Sequence, residues 1–206
     1  MSTLPASEHP AAQFSSDFAK AHGPNFLKWL GHLVGNPRAI GIELGTWRGE
    51  SAEWLLDKVL TDPASRLHCV DTFKGSEEHV LAGIDCSGIH AETMARLKRF
   101  GPPRVTLHVG ESHRVLAARL AGVLPRLVDF VYVDAAHDAM NVLRDAVLAF
   151  ELLAVGGVMI FDDYEWKVMR DEVDRPKMAV DAFLACYARR VEVIGMGWQV
   201  ALRKTA

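Results

Sequence analysis

Two apolar runs in the second half of the chain end in acids. Val131-Tyr-Val-Asp134-Ala-Ala-His137-Asp138 carries an aspartate with an imidazole three residues on, and Phe161-Asp162-Asp163-Tyr164 ends in paired aspartates. If the runs are neighbouring strands of a parallel sheet, Asp134, Asp162 and Asp163 converge at its carboxyl edge, where open α/β sheets hold ligands. Three carboxylates drawn together repel one another, so protons or a divalent cation must relieve the crowding. All-oxygen ligation by aspartates, with no thiolate or paired histidines, suits Mg2+ or Mn2+ rather than zinc.

The first half offers a second constellation. Gly41-Ile-Glu-Leu-Gly-Thr-Trp-Arg-Gly-Glu-Ser51 places Glu43 at the end of an apolar run, Gly45 in the turn after it and Gly49 at a helix entry. A dinucleotide fingerprint counted from Gly45 needs glycine at Trp47 and Glu50, so a pyrophosphate cradle is disfavoured. A strand-end acid such as Glu43 suits a ligand with an ammonium and a sulfonium, whose carboxylate the backbone N–H groups take. Asp71 ends the next run, where an acid can accept both ribose hydroxyls, and Gly110-Glu111-Ser112 follows the third run where an adenine edge falls. No G-x-S-x-G elbow is present, since Gly49-Glu50-Ser51 runs on into Ala52-Glu53, and no lysine follows a Gly-rich turn.

The elements that must position these residues alternate in type. Strands are expected at Ala39–Glu43, Arg66–Asp71, Arg104–Val109, Asp129–Asp134 and Gly157–Asp162. Helices are expected from about Asp17 to Val34 and near Gly49–Leu60, His90–Phe100, Ser112–Ala121, Asp138–Ala154 and Lys177–Arg190, with Gly156-Gly157 capping the Asp138–Ala154 helix. Val191–Ile194 and Trp198–Arg203 alternate in and out around Gly195-Met196-Gly197, which reads as a terminal hairpin. The fold class is α/β: a doubly wound, mostly parallel, seven-stranded Rossmann-like sheet with an antiparallel C-terminal strand, in three αβα layers. Thr72–Gly88 is polar and aperiodic, a lid or a surface loop.

A length of 206 residues, half of them apolar, supports one core, expected over residues 17–206 with a flexible tail at 1–16. The 23 basic and 26 acidic side chains give a net charge of −3, which indicates no nucleic-acid partner. Cys69, Cys86 and Cys186 are odd in number and in no metal-ligand spacing, which fits a reducing cytoplasm. The N-terminus has no basic region followed by an apolar block, and the apolar stretch Ala146–Phe161 is too short and too interrupted to span a membrane.

With these residues in place, the sequence from Ala39 onward resembles the class I S-adenosylmethionine (SAM)-dependent methyltransferases, whose E-x-G-x-x-x-G turn, ribose acid and G-[DE]-S element match Glu43, Gly45, Gly49, Asp71 and Gly110–Ser112. Asp134, His137 and Asp145, with Asp162-Asp163-Tyr164 and Pro176, resemble the branch containing macrolide-sugar and aminocoumarin-sugar O-methyltransferases. The resemblance implies that Glu43, Gly45, Thr46, Gly49, Ser51, Asp71, Thr72, Phe73, Glu111, Ser112 and Asp134 surround SAM. It implies that Asp134, Asp162 and Asp163 ligate Mg2+ or Mn2+, with His137 and Asp134 catalytic and His137 the base. Asp145, inside a helix, is expected to hold a structural hydrogen bond or salt bridge. The implied activity is O-methylation of a small-molecule hydroxyl, natural product or sugar-like, by an enzyme that self-associates. Two alternatives stand beside it: a metal-independent small-molecule methyltransferase using His137 as base, and a non-catalytic SAM-binding module.

Overall fold

The computed structural model describes residues 18–76, 79, 82–120, 122 and 127–206. The tail expected at 1–16 lies outside the described residues, as do 77–78 and 80–81 of the 72–88 segment. The strands are β1 Ile40–Leu44, β2 Arg66–Asp71, β3 Val105–Val109, β4 Val128–Val133, β5 Leu153–Phe161, β6 Val191–Met196 and β7 Val200–Lys204. The helices are α1 Phe18–Ala21, α2 Gly23–Leu30, α3 Glu50–Lys58, α4 Ile89–Leu97, α5 Ser112–Val115, α6 Ala139–Leu152 and α7 Pro176–Tyr187.

One seven-stranded sheet runs in the order β3-β2-β1-β4-β5-β7-β6. The first five strands are mutually parallel, and β7 pairs antiparallel with both β5 and β6. Every residue of β1 is buried, as a central strand covered on both faces requires. Ile42, Val131 and Met159 face a core completed by α6 and α7, while Cys69, Phe130 and Ile160 face the core under α2 and α3. Chain order reverses between β1 and β4, which opens a crevice above their carboxyl ends.

Local chemistry sets the helix ends. The Asp138 carboxylate accepts from Asn141 N at 3.0 Å and caps α6, and Pro176 starts α7 with no N–H to waste. The expected Asp138–Ala154 helix is corrected at its far end: it stops at Leu152, and the fully buried Leu153 pairs with Val128 in β5. Gly156, at φ +85°, therefore serves a register shift inside the strand rather than a helix cap. The expected Ser112–Ala121 helix is seen as α5 continuing into a π-turn over Leu116–Leu120, and residue 121 lies outside the described residues. No helix among the described residues is long and apolar enough to cross a membrane.

Candidate active site

The turn after β1 is forced by contact. Gly45 sits at φ +87°, its N–H donates to Val70 O at 2.8 Å, and its Cα faces the Asp134 carbonyl. Trp47 follows at φ +47°, a conformation a bulky residue adopts only when its surroundings hold it there. The holding groups are Asp71 Oδ2, which accepts from Trp47 N at 2.7 Å, and Thr93 Oγ1, which donates to Trp47 O at 2.5 Å. Asp71 Oδ1 accepts from Phe73 N at 2.6 Å, so one carboxylate ties the turns after β1 and β2 together.

Above this edge lies a cavity of about 1000 Å³. Of the residues expected from the sequence, Gly45, Thr46, Ser51, Asp71, Thr72, Glu111, Ser112, Asp134, His137, Asp162 and Asp163 line it. Three do not. Gly49 is the left-handed N-cap residue of α3. Phe73, expected beside the adenine, is 7% exposed and packs on His90 with ring centroids 4.6 Å apart. Glu43, expected to face a cation, is fully buried beneath the turn, in register with Cys69 and Tyr132.

Among the described residues neither Glu43 oxygen has a hydrogen-bond partner of good geometry, although Ser51, Thr46 and Cys69 surround it. Burial raises its pKa from 4.5 to about 7, against the lowering effect of those three side chains. Between pH 4.5 and 7 the folded chain thus keeps a proton the unfolded chain has released, so stability falls as pH rises across that window. Glu43→Gln is expected to flatten the slope and to stabilise the ligand-free chain at pH 8 by on the order of 3 kcal/mol. Urea unfolding of both proteins at pH 5 and pH 8 checks this. Equal slopes for the two would show that Glu43 does not carry the effect.

At the ends of β4 and β5, one ligand atom each from Asp134, His137 and Asp163 lies within 4.8 Å of the others. His137 Nε2 stands 3.0 Å from Asp163 Oδ2 and 3.8 Å from Asp134 Oδ1. Asp163 adopts φ +57°, and this turns its carboxylate back over the crevice. Asp162, expected as a third ligand, lies on the same wall with both oxygens already engaged. Its Oδ1 accepts from Asp163 N at 2.8 Å, and its Oδ2 accepts from the Tyr132 hydroxyl and from Gln199 Nε2 at 3.2 Å. Burial, then repulsion by Asp162, raises the Asp134 pKa well above the carboxylate range, and burial, then Asp163, raises that of Asp162. The Asp134 side chain is 26% exposed and opens onto the cavity.

Several lining residues lay outside the sequence reading. Tyr132 stands two residues before Asp134, so the period of a strand puts both on one face, a signal that was present. His22, Asn25 and Gln199 had none, because the N-terminal helix and the terminal hairpin meet only in the fold, where Asn25 Nδ2 donates to Gln199 Oε1 at 3.5 Å. The tryptophans were not outside it: the sequence allows Trp47, Trp54, Trp166 and Trp198 a pocket role and favours packing, and the structure puts Trp47, Trp166 and Trp198 on the cavity and packs Trp54 on Phe18 and Phe26 against the core.

A family model described as a methyltransferase domain matches residues 42–164. No curated protein matches the chain. Among solved structures, the O-methyltransferase TomG from Streptomyces achromogenes, involved in tomaymycin synthesis and solved in complex with SAM, superposes with TM-score 0.62 at 18% identity, over 97% of this chain and 91% of its own. An O-methyltransferase from Bacillus cereus in complex with SAH superposes with TM-score 0.63 at 19% identity, over 96% and 88%. CalS11, a TDP-rhamnose 3′-O-methyltransferase of calicheamicin biosynthesis, gives 0.62 at 16%, over 98% and 88%. At such identities, what is shared is the fold.

Proposed function

We infer the reaction from one premise: this chain belongs to the methyltransferase-domain family. It is a SAM-dependent methyltransferase. We propose that residues 17–206 act as one domain that methylates a hydroxyl of a small molecule, natural product or sugar-like, with Mg2+ or Mn2+ bound. The observation that carries this reading is the gathering of Asp134, His137 and Asp163 at the carboxyl edge, beside the turn of Gly45. Structural neighbours that act in tomaymycin synthesis and on TDP-rhamnose support the acceptor class.

In this reading, the N–H groups of the Thr46–Ser51 turn hold the carboxylate of SAM, Asp71 takes its ribose hydroxyls, and the Gly110–Ser112 turn borders its base. SAM supplies a methyl group carried on a sulfonium. The donor set fits a hard divalent cation. Two partly desolvated carboxylates, Asp134 and Asp163, face each other with only the His137 imidazole between them, and Asp162 adds negative charge behind. Bound there, the cation supplies Lewis acidity that makes an acceptor hydroxyl easier to ionise. Asp134 and Asp163 orient the acceptor side of the cavity, and Tyr132 and Gln199 fix Asp162. The His137 imidazole takes the acceptor's proton, and the flanking carboxylates then stabilise the imidazolium. The direct His137–Asp163 contact also favours a second reading, in which the imidazole acts as base without a metal.

A cytoplasmic setting goes with this reading, supported by three free cysteines, and self-association is carried over from the resemblance alone. The test incubates the purified chain with SAM and a panel of sugars, phenols and amines. Methyl transfer to a hydroxyl should fall at least fiftyfold with a chelator and return with Mg2+ or Mn2+. Transfer that ignores the chelator would support the metal-independent base. SAM binding with no turnover across the panel would support a binding module.

A further inference from the structure

Asp145 is a buried acid with a single hydrogen-bond partner among the described residues. It lies on α6, is 1% exposed, and does not line the cavity. Its Oδ2 accepts from Ser112 Oγ at 2.6 Å, while Oδ1 is buried without a hydrogen-bond partner. Burying a carboxylate with half its acceptor capacity unused is costly, and its one bond goes to a residue that does line the cavity. A serine hydroxyl has one proton and two lone pairs. With that proton committed to Asp145, Ser112 can offer a ligand only lone pairs.

Which part of a ligand meets Ser112 follows from strand order, on the reading that the cavity holds SAM. Val109, the last residue of β3, is in register with Asp71, and Gly110 N donates to Asp71 O at 2.9 Å. The turn after β3 therefore lies one strand outward from the acid assigned to the ribose, where the base must extend. Within that turn Glu111 is directed to its own helix, pairing with Arg114 Nε at 2.7 Å and His113 Nε2 at 3.5 Å. Both pairs use Glu111 Oε2, and Glu111 and Ser112 both line the cavity, but Ser112 is the acceptor of this turn whose direction a buried partner fixes.

We propose that Asp145 is a positioning residue that fixes the hydrogen-bond direction of Ser112, so that the base pocket selects a purine with a 6-amino donor over one with a 6-oxo acceptor. An amino N–H meets a lone pair on Ser112 Oγ. A 6-oxo group sets lone pair against lone pair and leaves both unsatisfied.

The experiment is calorimetric titration with S-adenosylhomocysteine and S-inosylhomocysteine, which differ in the 6-amino and 6-oxo purine. It is run at pH 8.5, where the Asp145 carboxyl, raised by burial and by Asp138 to about 7, is ionised. Wild type should favour the adenine ligand by at least a hundredfold. Ser112→Ala and Asp145→Leu should each cut that ratio at least tenfold, whereas Asp145→Asn, whose amide oxygen still accepts from Ser112, should leave it within threefold. A purely structural role for Asp145 would weaken both ligands alike and leave the ratio unmoved. An unchanged ratio in Ser112→Ala therefore overturns the proposal, and that variant carries the test even if Asp145→Leu does not fold. A wild type that binds neither ligand overturns the SAM reading and this inference with it, whereas tight binding of both in equal measure overturns the inference alone.

Discussion

His137→Ala is expected to lower kcat by 10² to 10⁴, the range general-base removal produces, while leaving S-adenosylhomocysteine affinity within about threefold. The asymmetry follows from position. His137 stands on the acceptor side, 3.0 Å from Asp163 Oδ2 and 4.9 Å in ring centroids from Trp166, whereas the turns assigned to SAM end β1, β2 and β3. Loss of the imidazole also removes the hydrogen-bonded neighbour of Asp163, so a fall in rate alone does not distinguish a base from a spacer. The pH profile does. If His137 takes the proton, the variant should regain rate as pH rises towards the acceptor's own pKa, because solvent then performs the ionisation. A spacer's removal would depress the rate equally at every pH. A kcat within threefold of wild type would remove His137 from the chemistry altogether.

Much of this site was legible because strands buried on both faces leave a strong mark in sequence. Each apolar run that ended in an acid did become a strand ending at one edge, and Asp71, Asp134, Asp162 and Asp163 all line the cavity there. Glu43 shows where that logic stops. In β1 both faces are apolar, so the pattern does not reveal which face a given side chain takes, and Glu43 turned under the sheet edge with Cys69 and Tyr132. Phe73 does not line the cavity for a related reason: at φ +55° its ring packs on His90, and nothing local foretells a left-handed phenylalanine. The Gly156-Gly157 pair was read as a helix stop, but glycine serves a bulge as well as a cap, and the burial of Leu153 decided for the strand. Asp145 was read correctly as a hydrogen-bond holder, though its partner Ser112, 33 residues away, was visible only in the fold.

Gly45→Ala is expected to reduce S-adenosylhomocysteine affinity more than a hundredfold and to destabilise the ligand-free chain by on the order of 3 kcal/mol. A Cβ on Gly45 would stand 1.9 Å from the Asp134 carbonyl oxygen and 2.4 Å from its carbon, and backbone cannot rotate away as a side chain can. Positive φ adds strain of its own. Either β1 and β4 part at their carboxyl ends, or the turn lifts and breaks the Gly45–Val70 and Trp47–Asp71 hydrogen bonds, 2.8 and 2.7 Å in the native fold. Both routes displace the donor turn relative to Asp134, so the reacting halves of the cavity lose register together. Gly49→Ala is the control, since it too has positive φ, at +78°, but its added methyl meets side chains rather than backbone: Thr93 Cγ2 at 3.1 Å, and Arg96 Cδ and Leu97 Cγ at 3.5 Å. That variant should lose about 1 kcal/mol and keep affinity within about tenfold. Calorimetry and thermal melting of the two variants side by side decide the matter. If Gly45→Ala bound as well as Gly49→Ala, the close approach of the β1 turn to the Asp134 backbone would not be what shapes the site.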